Sequence, residues 1–374
     1  MRIAGVIAEF NPFHTGHKYL LDSIRALGFS HIAVCLSSDI TQRGDIAFFD
    51  KRTRAVCALK NGADLVLELP FPFSMSCSEI YAQKSVEILK SVGIDALVFG
   101  SETSDENMLL KAAEISSSLK ESDNIKQLLK DGKSYPDAFY SAVKHEFGEQ
   151  TAQIFNSPNA TLGIEYIKAL GKTPFYPVLR TIPHDSEEVG KYACASKIRS
   201  ELSNGSENAL KYLPYEAKGF EFSDIKKVEG AIIFSLCKKT ESELLNICDI
   251  NEELASRIQT ASKQASNYNE LISLVKTKNY TMSRIKRCIL NAYLGVTKDD
   301  LSLVPYVRPI AATDRGIEIL SAAPKKTETS LKALEKTHPR LCRFSYLTSK
   351  LFDLCCKNPS GANEYTKPFI TVNG

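Results

Sequence analysis

Arg2-Ile3-Ala4-Gly5-Val6-Ile7-Ala8-Glu9-Phe10-Asn11-Pro12-Phe13-His14-Thr15-Gly16-His17 is the stretch on which the reading of the whole chain turns. Its first half is a short apolar run, ended at once by Glu9 and Asn11, as in a strand buried inside a parallel sheet. Its second half is His-x-Gly-His. A run of helical spacing follows from His17 to Ala26, with Tyr19, Leu20, Ile24 and Leu27 on one side. A strand that passes through such a loop into a helix leaves helix N-terminal amides facing whatever lies there. Gly16 allows a phosphate close to the backbone. His14 and His17 are three apart and face one way on the first helical turn. Two imidazoles and these amides form a cradle for the β- and γ-phosphates of a nucleotide. Donors fixed in advance stabilise the charge that develops on a pyrophosphate leaving group, and the displacement needs no protein nucleophile. The other chemistry open to a histidine pair is metal binding, but no acidic or cysteine partner stands nearby at zinc spacing.

Outward from this loop the rhythm continues. His31–Leu36, Asp64–Leu69 and Asp95–Phe99 read as strands, and Arg52–Lys60 and Ser78–Ser91 as helices. Asn61-Gly62, Pro70 and Gly100 punctuate them. This alternation predicts an α/β fold, a Rossmann-like domain with a parallel sheet covered by helices, and places ligands at the carboxyl ends of the strands. Residues 105–150 read as helices with polar faces. A helix from Ser157 to Leu170 has Asn159 as its expected N-cap, Phe175–Arg180 reads as a fifth strand, and Ser196 is the expected N-cap of a helix that includes Arg199. Beyond about 206 long helical stretches dominate, at 224–238, 251–262, 267–277 and 281–294. The expected division is 1–205 for the nucleotide-binding domain and 206–374 for a mainly helical one.

Of the 374 residues 43% are hydrophobic and 24% charged, a globular composition. No run of 18 apolar residues exists and the N-terminal apolar run is too short for a signal peptide, so we expect a cytoplasmic protein with no membrane or protein partner. None of the ten cysteines forms a Cys-x-x-Cys pair; they read as small hydrophobes, with Cys355-Cys356 the one candidate for redox sensitivity. Charge is unevenly spread: residues 1–189 hold 19 Lys/Arg against 24 Asp/Glu, and residues 190–374 hold 28 against 20. The second half therefore hints at a polyanionic partner.

The His-x-Gly-His loop after a first strand resembles the nucleotidyltransferase superfamily, which includes small-molecule adenylyltransferases and is related to class I aminoacyl-tRNA synthetases. Ser196-Lys197-Ile198-Arg199 matches its second signature. The closer resemblance is to the bacterial tRNA(Met) cytidine acetate ligase family, carried by Gly5–His17, Gln42-Arg43-Gly44, Gly62–Pro70, Phe99-Gly100-Ser101-Glu102, Ser157-Pro158-Asn159, Tyr280–Arg287 and Pro305-Tyr306-Val307-Arg308. Two loops depart from that family's pattern, at Ser38-Asp39 and at Gly44-Asp45-Ile46-Ala47.

The resemblance implies that acetate and ATP, with the Mg²⁺ that ATP brings, give acetyl-adenylate and pyrophosphate, and that the acetyl group passes to N4 of the wobble cytidine of elongator tRNA(Met). It implies ATP contacts from Ile7, Ala8, Glu9, Phe10, Asn11, Pro12, Phe13, His14, Thr15, Gly16, His17, Lys18, Tyr19 and Leu20, with His14 and His17 catalytic. Gly100, Asn159, Arg180, Thr181, Ser196 and Arg199 complete that site. Gly100 also reads as an ordinary strand-end turn, Asn159 as a plain cap and Arg180 as a solvated cation. No dedicated metal site is expected. Lys276, Lys278, Arg284, Lys286, Arg287 and Arg308, interleaved with Tyr280, Tyr293 and Tyr306, are the expected tRNA contacts; composition alone reads the same residues as a solvated basic face. A metabolite adenylyltransferase and a non-catalytic tRNA- or ribosome-binding protein remain the competing readings.

Overall fold

The computed structural model describes residues 1–119, 122–180, 188–189 and 192–373. Strands β1 (Ile3–Ala8), β2 (His31–Ser37), β3 (Leu65–Leu69), β4 (Ala96–Ser101) and β5 (Phe175–Leu179) lie in the order β5-β4-β1-β2-β3 and run parallel. The near-continuous apolar content of β1 to β4 reflects burial on both faces, while β5, at the sheet edge, is only partly buried. The helices between them are α1 (Thr15–Ala26), α2 (Lys51–Lys60) and α3 (Ser78–Ser91). The strand order reverses between β1 and β4, and at such a switch point a crevice opens beyond the strand ends. The His-x-Gly-His loop leaves β1 at this point, and Gly100 lies at the end of β4.

Between β4 and β5 the chain forms α4 (Glu106–Leu119), α5 (Asp123–Lys130), α6 (Tyr135–Phe147), α7 (Glu149–Ile154) and α8 (Pro158–Leu170). A Cβ on Gly163 of α8 would collide with the Phe99 ring of β4, so glycine there sets how closely helix and sheet pack. A short hairpin, β6 (Glu188–Val189) with β7 (Tyr192–Ala193), precedes α9 (Ala195–Ser203).

The helical part comprises α10 (Glu229–Cys237), α11 (Glu241–Leu245), α12 (Glu252–Gln264), α13 (Tyr268–Val275) and α14 (Met282–Leu294). Asn251, Asn267 and Thr281 cap three of these by accepting main-chain N–H groups. The chain then returns to the sheet. β8 (Pro309–Ala312) pairs antiparallel with β3, and after α15 (Asp314–Ala322), α16 (Leu331–Leu334) and α17 (Pro339–Cys355), β9 (Ile370–Thr371) pairs with β8. The sheet thus has seven strands, two of them drawn from beyond residue 205. The helical core also includes Ile40, Ile46, Phe71 and Met75 from the first part. Packing therefore does not follow the division at 205/206 expected from the change of rhythm.

All ten cysteines are free. Cys355 and Cys356 lie in the helical core, and burial pushes both thiols up to about 12, which makes them packing groups.

Candidate active site

His14 is the N-cap of α1 and is not on its first turn. Its Nδ1 accepts the Gly16 N–H at 3.1 Å, and its own N–H donates to His17 Nδ1 at 3.2 Å. This reciprocal capping box stacks the two rings with centroids 3.8 Å apart. Because each Nδ1 accepts a main-chain N–H, each neutral ring carries its proton on Nε2. The Gly16 amide, assigned to phosphate on sequence grounds, is thus held by His14 in the ligand-free protein. Below the pair, Phe10 and Phe13 meet His17 with centroids 4.9 and 5.6 Å away. Phe10 adopts a positive φ of 46°, a left-handed conformation that a bulky residue rarely takes, and one its buried ring stabilises.

Burial first, then the cations of Arg180 and Arg199, push the His14 imidazole down to about 3. Burial, His14 and Arg180 hold His17 well below the usual histidine value. Both rings are neutral near pH 7, with Nε2–H groups for an anion to accept.

The second signature reaches the first. Arg199 Nη1 donates to the Asn11 carbonyl at 2.6 Å, across 188 residues of chain. Arg180 is exposed, and its main-chain N–H donates to Ser101 O at 3.0 Å, so it sits at the end of β4 beside Gly100. Neither Arg180 nor Arg199 has an ion-pair partner among the described residues. Ser196 is not the N-cap of α9; Cys194 holds that position, and Ser196 Oγ lies 3.2 Å from Cys194 Sγ. Asn159 is not a cap either. Ser157 is the N-cap of α8 but makes no side-chain cap bond; the Glu102 carboxylate accepts the helix N–H of Ala160 at 2.8 Å and also the side-chain amide Asn159 Nδ2 at 2.6 Å. A Cβ on Gly100 would meet Arg180 Cγ at 3.6 Å, an ordinary contact. Thr181 lies outside the described residues.

Within Ile7–Leu20 the side chains of Ile7, Phe10 and Phe13 belong to the cores, so only their main chain can face a nucleotide. Lys18 pairs with Asp22 on the outer surface of α1 at 2.8 Å. Glu9 is tied to Gln42, whose N–H it accepts at 2.8 Å. Burial raises its carboxyl against the pull of that amide and of Arg43, Arg54 and Arg199.

Sequence reasoning missed Arg54. It is fully buried and donates to the carbonyls of Phe49, Glu9 and Ser38 at 2.8, 2.6 and 2.6 Å, which ties the ends of β1 and β2 together. Only its position one turn into a short helix could have drawn attention to it. Asp39, one of the two departures from the family pattern, is 1% exposed and accepts Lys51 N at 2.7 Å. Asp45, in the other, pairs with Lys286 of α14 at 2.7 Å. Gly44 has φ +77°, and a Cβ there would meet the Arg287 main chain at 2.7 Å, so this loop is fitted against α14.

The expected tRNA contacts divide. Arg308 is 1% exposed and bonds Glu68 at 3.1 Å and Glu364 at 2.7 Å inside the protein, which removes it from any RNA surface. Arg287 is buried against Asp249 at 2.9 Å and is structural too. Tyr280 and Tyr306 are likewise buried. Arg284 stands over the Tyr280 ring at 5.0 Å and donates to Asp249 O. Lys276 donates to the carbonyls of Thr277 and Tyr280. Lys278 is exposed.

A parallel sheet with a switch point, a histidine pair at a helix N-terminus beside it, and a second-signature arginine bonded to the first loop define a nucleotidyltransferase. A family model described as HIGH Nucleotidyl Transferase matches residues 1–365. The chain belongs to that family and, within it, to the tRNA(Met) cytidine acetate ligases. It is 31% identical over its full length to the tRNA(Met) cytidine acetate ligase of Acetivibrio thermocellus, which is also covered in full. It is 34% identical to that of Streptococcus pneumoniae, with 86% of this chain and 87% of the relative covered. Two crystal structures of Thermotoga maritima TmcAL superpose over the full length of both chains: the apo form with TM-score 0.90 at 26% identity, and one bound with alpha-thio ATP with TM-score 0.87 at 25% identity.

Proposed function

We propose that this chain is an ATP-dependent tRNA-modifying ligase. It activates acetate as acetyl-adenylate and passes the acetyl group to N4 of the wobble cytidine of elongator tRNA(Met). The observation that carries this reading is the Arg199 to Asn11 bond, which brings the two signatures to one site beside the stacked histidines. The ATP analogue bound to a relative of the same fold supports it.

In the first step a carboxylate oxygen of acetate attacks the α-phosphorus and pyrophosphate leaves. Neutral His14 and His17 donate from Nε2 to the phosphate oxygens. Arg180 and Arg199 supply positive charge that no carboxylate of the protein cancels by an ion pair among the described residues. In the second step the cytidine N4 amine attacks the acetyl carbonyl carbon, AMP leaves, and the amine gives up a proton. Mg²⁺ would accompany the triphosphate and neutralise part of its charge, and no cluster of three or more ligating His, Cys, Asp or Glu side chains stands ready for it among the described residues. Asn159, held by Glu102 just beyond β4, is assigned a contact with the nucleotide. Lys276, Lys278, Arg284 and Lys286 make the tRNA approach, and the enzyme works in the cytoplasm beside its RNA substrate.

The test is pyrophosphate release from ATP with and without acetate, followed by mass spectrometry of unmodified elongator tRNA(Met) after reaction. Acetate-dependent release with N4-acetylcytidine in the tRNA is the expected result. Release that ignores acetate and leaves the tRNA unchanged would return the metabolite adenylyltransferase reading.

A further inference from the structure

Residues 213–224 carry three aromatic side chains to the rim of the site. Tyr215 packs toward Phe13 of the first motif, with ring centroids 6.5 Å apart, and against Phe220. Phe220 meets Phe49 edge-on at 5.4 Å. Both rings are half-buried. Phe222 differs from them. Its ring lies parallel to Phe48, with centroids 5.0 Å apart and planes 7° from coplanar, and the residue is 37% exposed. Phe48 covers one face of the ring, and part of the residue remains exposed.

Phe48 is buried, and its N–H donates to Asn11 Oδ1 at 2.6 Å. A single residue therefore links Phe222 to the loop that Arg199 also holds. The platform is fixed from behind as well. Ser223 donates its N–H to Phe48 O at 3.0 Å and its hydroxyl to Ala47 O at 2.8 Å, and Asp224 N–H donates to Cys355 O. A flat, uncharged, partly exposed ring held beside the first motif matches the one surface that all nucleobases share. An enzyme acting on the exocyclic amine of one base must receive bases that have left their own stack, and an aromatic ring replaces the contact they lose.

We propose that the exposed surface of the Phe222 ring receives an unstacked base of the anticodon loop, holding the RNA while the cytidine amine enters beside Asn11 and the histidines. This rests on the tRNA-acetylating reading above.

The chain has no tryptophan, so Phe222→Trp introduces a single indole emitter at the platform. An RNA hairpin with the anticodon stem-loop sequence is titrated into this variant, with filter retention measured in parallel. The expected result is quenching of the emission that follows RNA retention. Phe222→Ala is expected to raise KM for tRNA about tenfold with kcat near wild type, and Phe222→Tyr to restore it. RNA retained with unchanged emission overturns the proposal. So does an unchanged KM in Phe222→Ala, or a loss that Tyr does not rescue, which would leave Phe222 as packing for Phe48. Failure of the wild-type protein to retain the RNA would defeat the tRNA reading itself, and this proposal with it.

Discussion

Two clusters of charged residues in this molecule have opposite constitutions. In the first, Lys51, Glu68, Arg308 and Glu364 are all at most 2% exposed in their side chains and bond one another at 2.5 to 3.3 Å. Burial would raise the Glu68 carboxyl, but the Lys51 and Arg308 cations outweigh it and hold it below its usual value. Tyr306 and Ser345 donate to the same carboxylate. In the second cluster, Arg180, Arg199, His14 and His17 gather with no ion-pair partner for either arginine among the described residues and both imidazoles neutral. The first cluster is complete within the protein and joins β3 and α2 to β8 and the C-terminal segment. In the second, Glu9 and Asp45 act on Arg199 only through their field, without an ion pair among the described residues. Where cations are matched they build the fold, and where they stay unpaired beside a helix N-terminus they suit an anionic ligand.

Substitutions in each cluster should have effects of different size. The largest effect belongs to the closed one. Glu68→Ala or Arg308→Ala leaves a buried charge uncompensated and should cost roughly 3–5 kcal/mol in a denaturant titration. A loss below about 1 kcal/mol would mean that water reaches the cluster. In the open cluster, Arg199→Ala should weaken ATP binding about ten- to a hundredfold by calorimetry, the worth of a hydrogen bond from a charged donor to phosphate, with Arg199→Lys only partly restoring it.

A smaller effect is acid sensitivity. Both imidazoles have depressed values in the fold, so the unfolded chain binds more protons as the pH falls below the ordinary histidine value of about 6.5. The stability they contribute is complete above that value and is lost on acidification, by roughly 1 kcal/mol per histidine at pH 5.5. Saturating ATP should flatten this slope, because a triphosphate favours the protonated rings. Lys286→Ala, which removes a half-exposed pair with Asp45, should change stability by less than about 1 kcal/mol.

The same contrast explains what was legible in the sequence. Strands β1 to β5 were readable because each is an apolar run, and all but β2 are bounded by clear turn or polar signals. The His-x-Gly-His loop was readable because it follows the first of them. β8 was not: Pro309–Ala312 is four residues long and follows Pro305-Tyr306-Val307-Arg308, which reads as a basic, aromatic surface. Its pairing with β3 and the burial of Arg308 depend on Glu68 and Glu364, 240 and 56 residues away. A charge run shows its sign locally, while its partners are fixed by the fold. The capping role of His14 was hidden for a local reason, since Ser, Thr, Asp and Asn are the side chains that usually take that position. Glu102 as the cap of α8 was hidden because it arrives from another strand.

If the cluster of His14, His17, Arg180 and Arg199 activates an acid on ATP, labelled pyrophosphate should exchange into ATP in an acetate-dependent way. The exchange is measured in the wild-type protein and in His14→Ala and His17→Ala, with melting temperature read on the same samples. Removing one fixed donor to developing charge should cost about a hundredfold or more in exchange rate. The fold should survive, since loss of an N-cap costs only about 1 kcal/mol. Exchange at the wild-type rate in both folded variants would contradict the account.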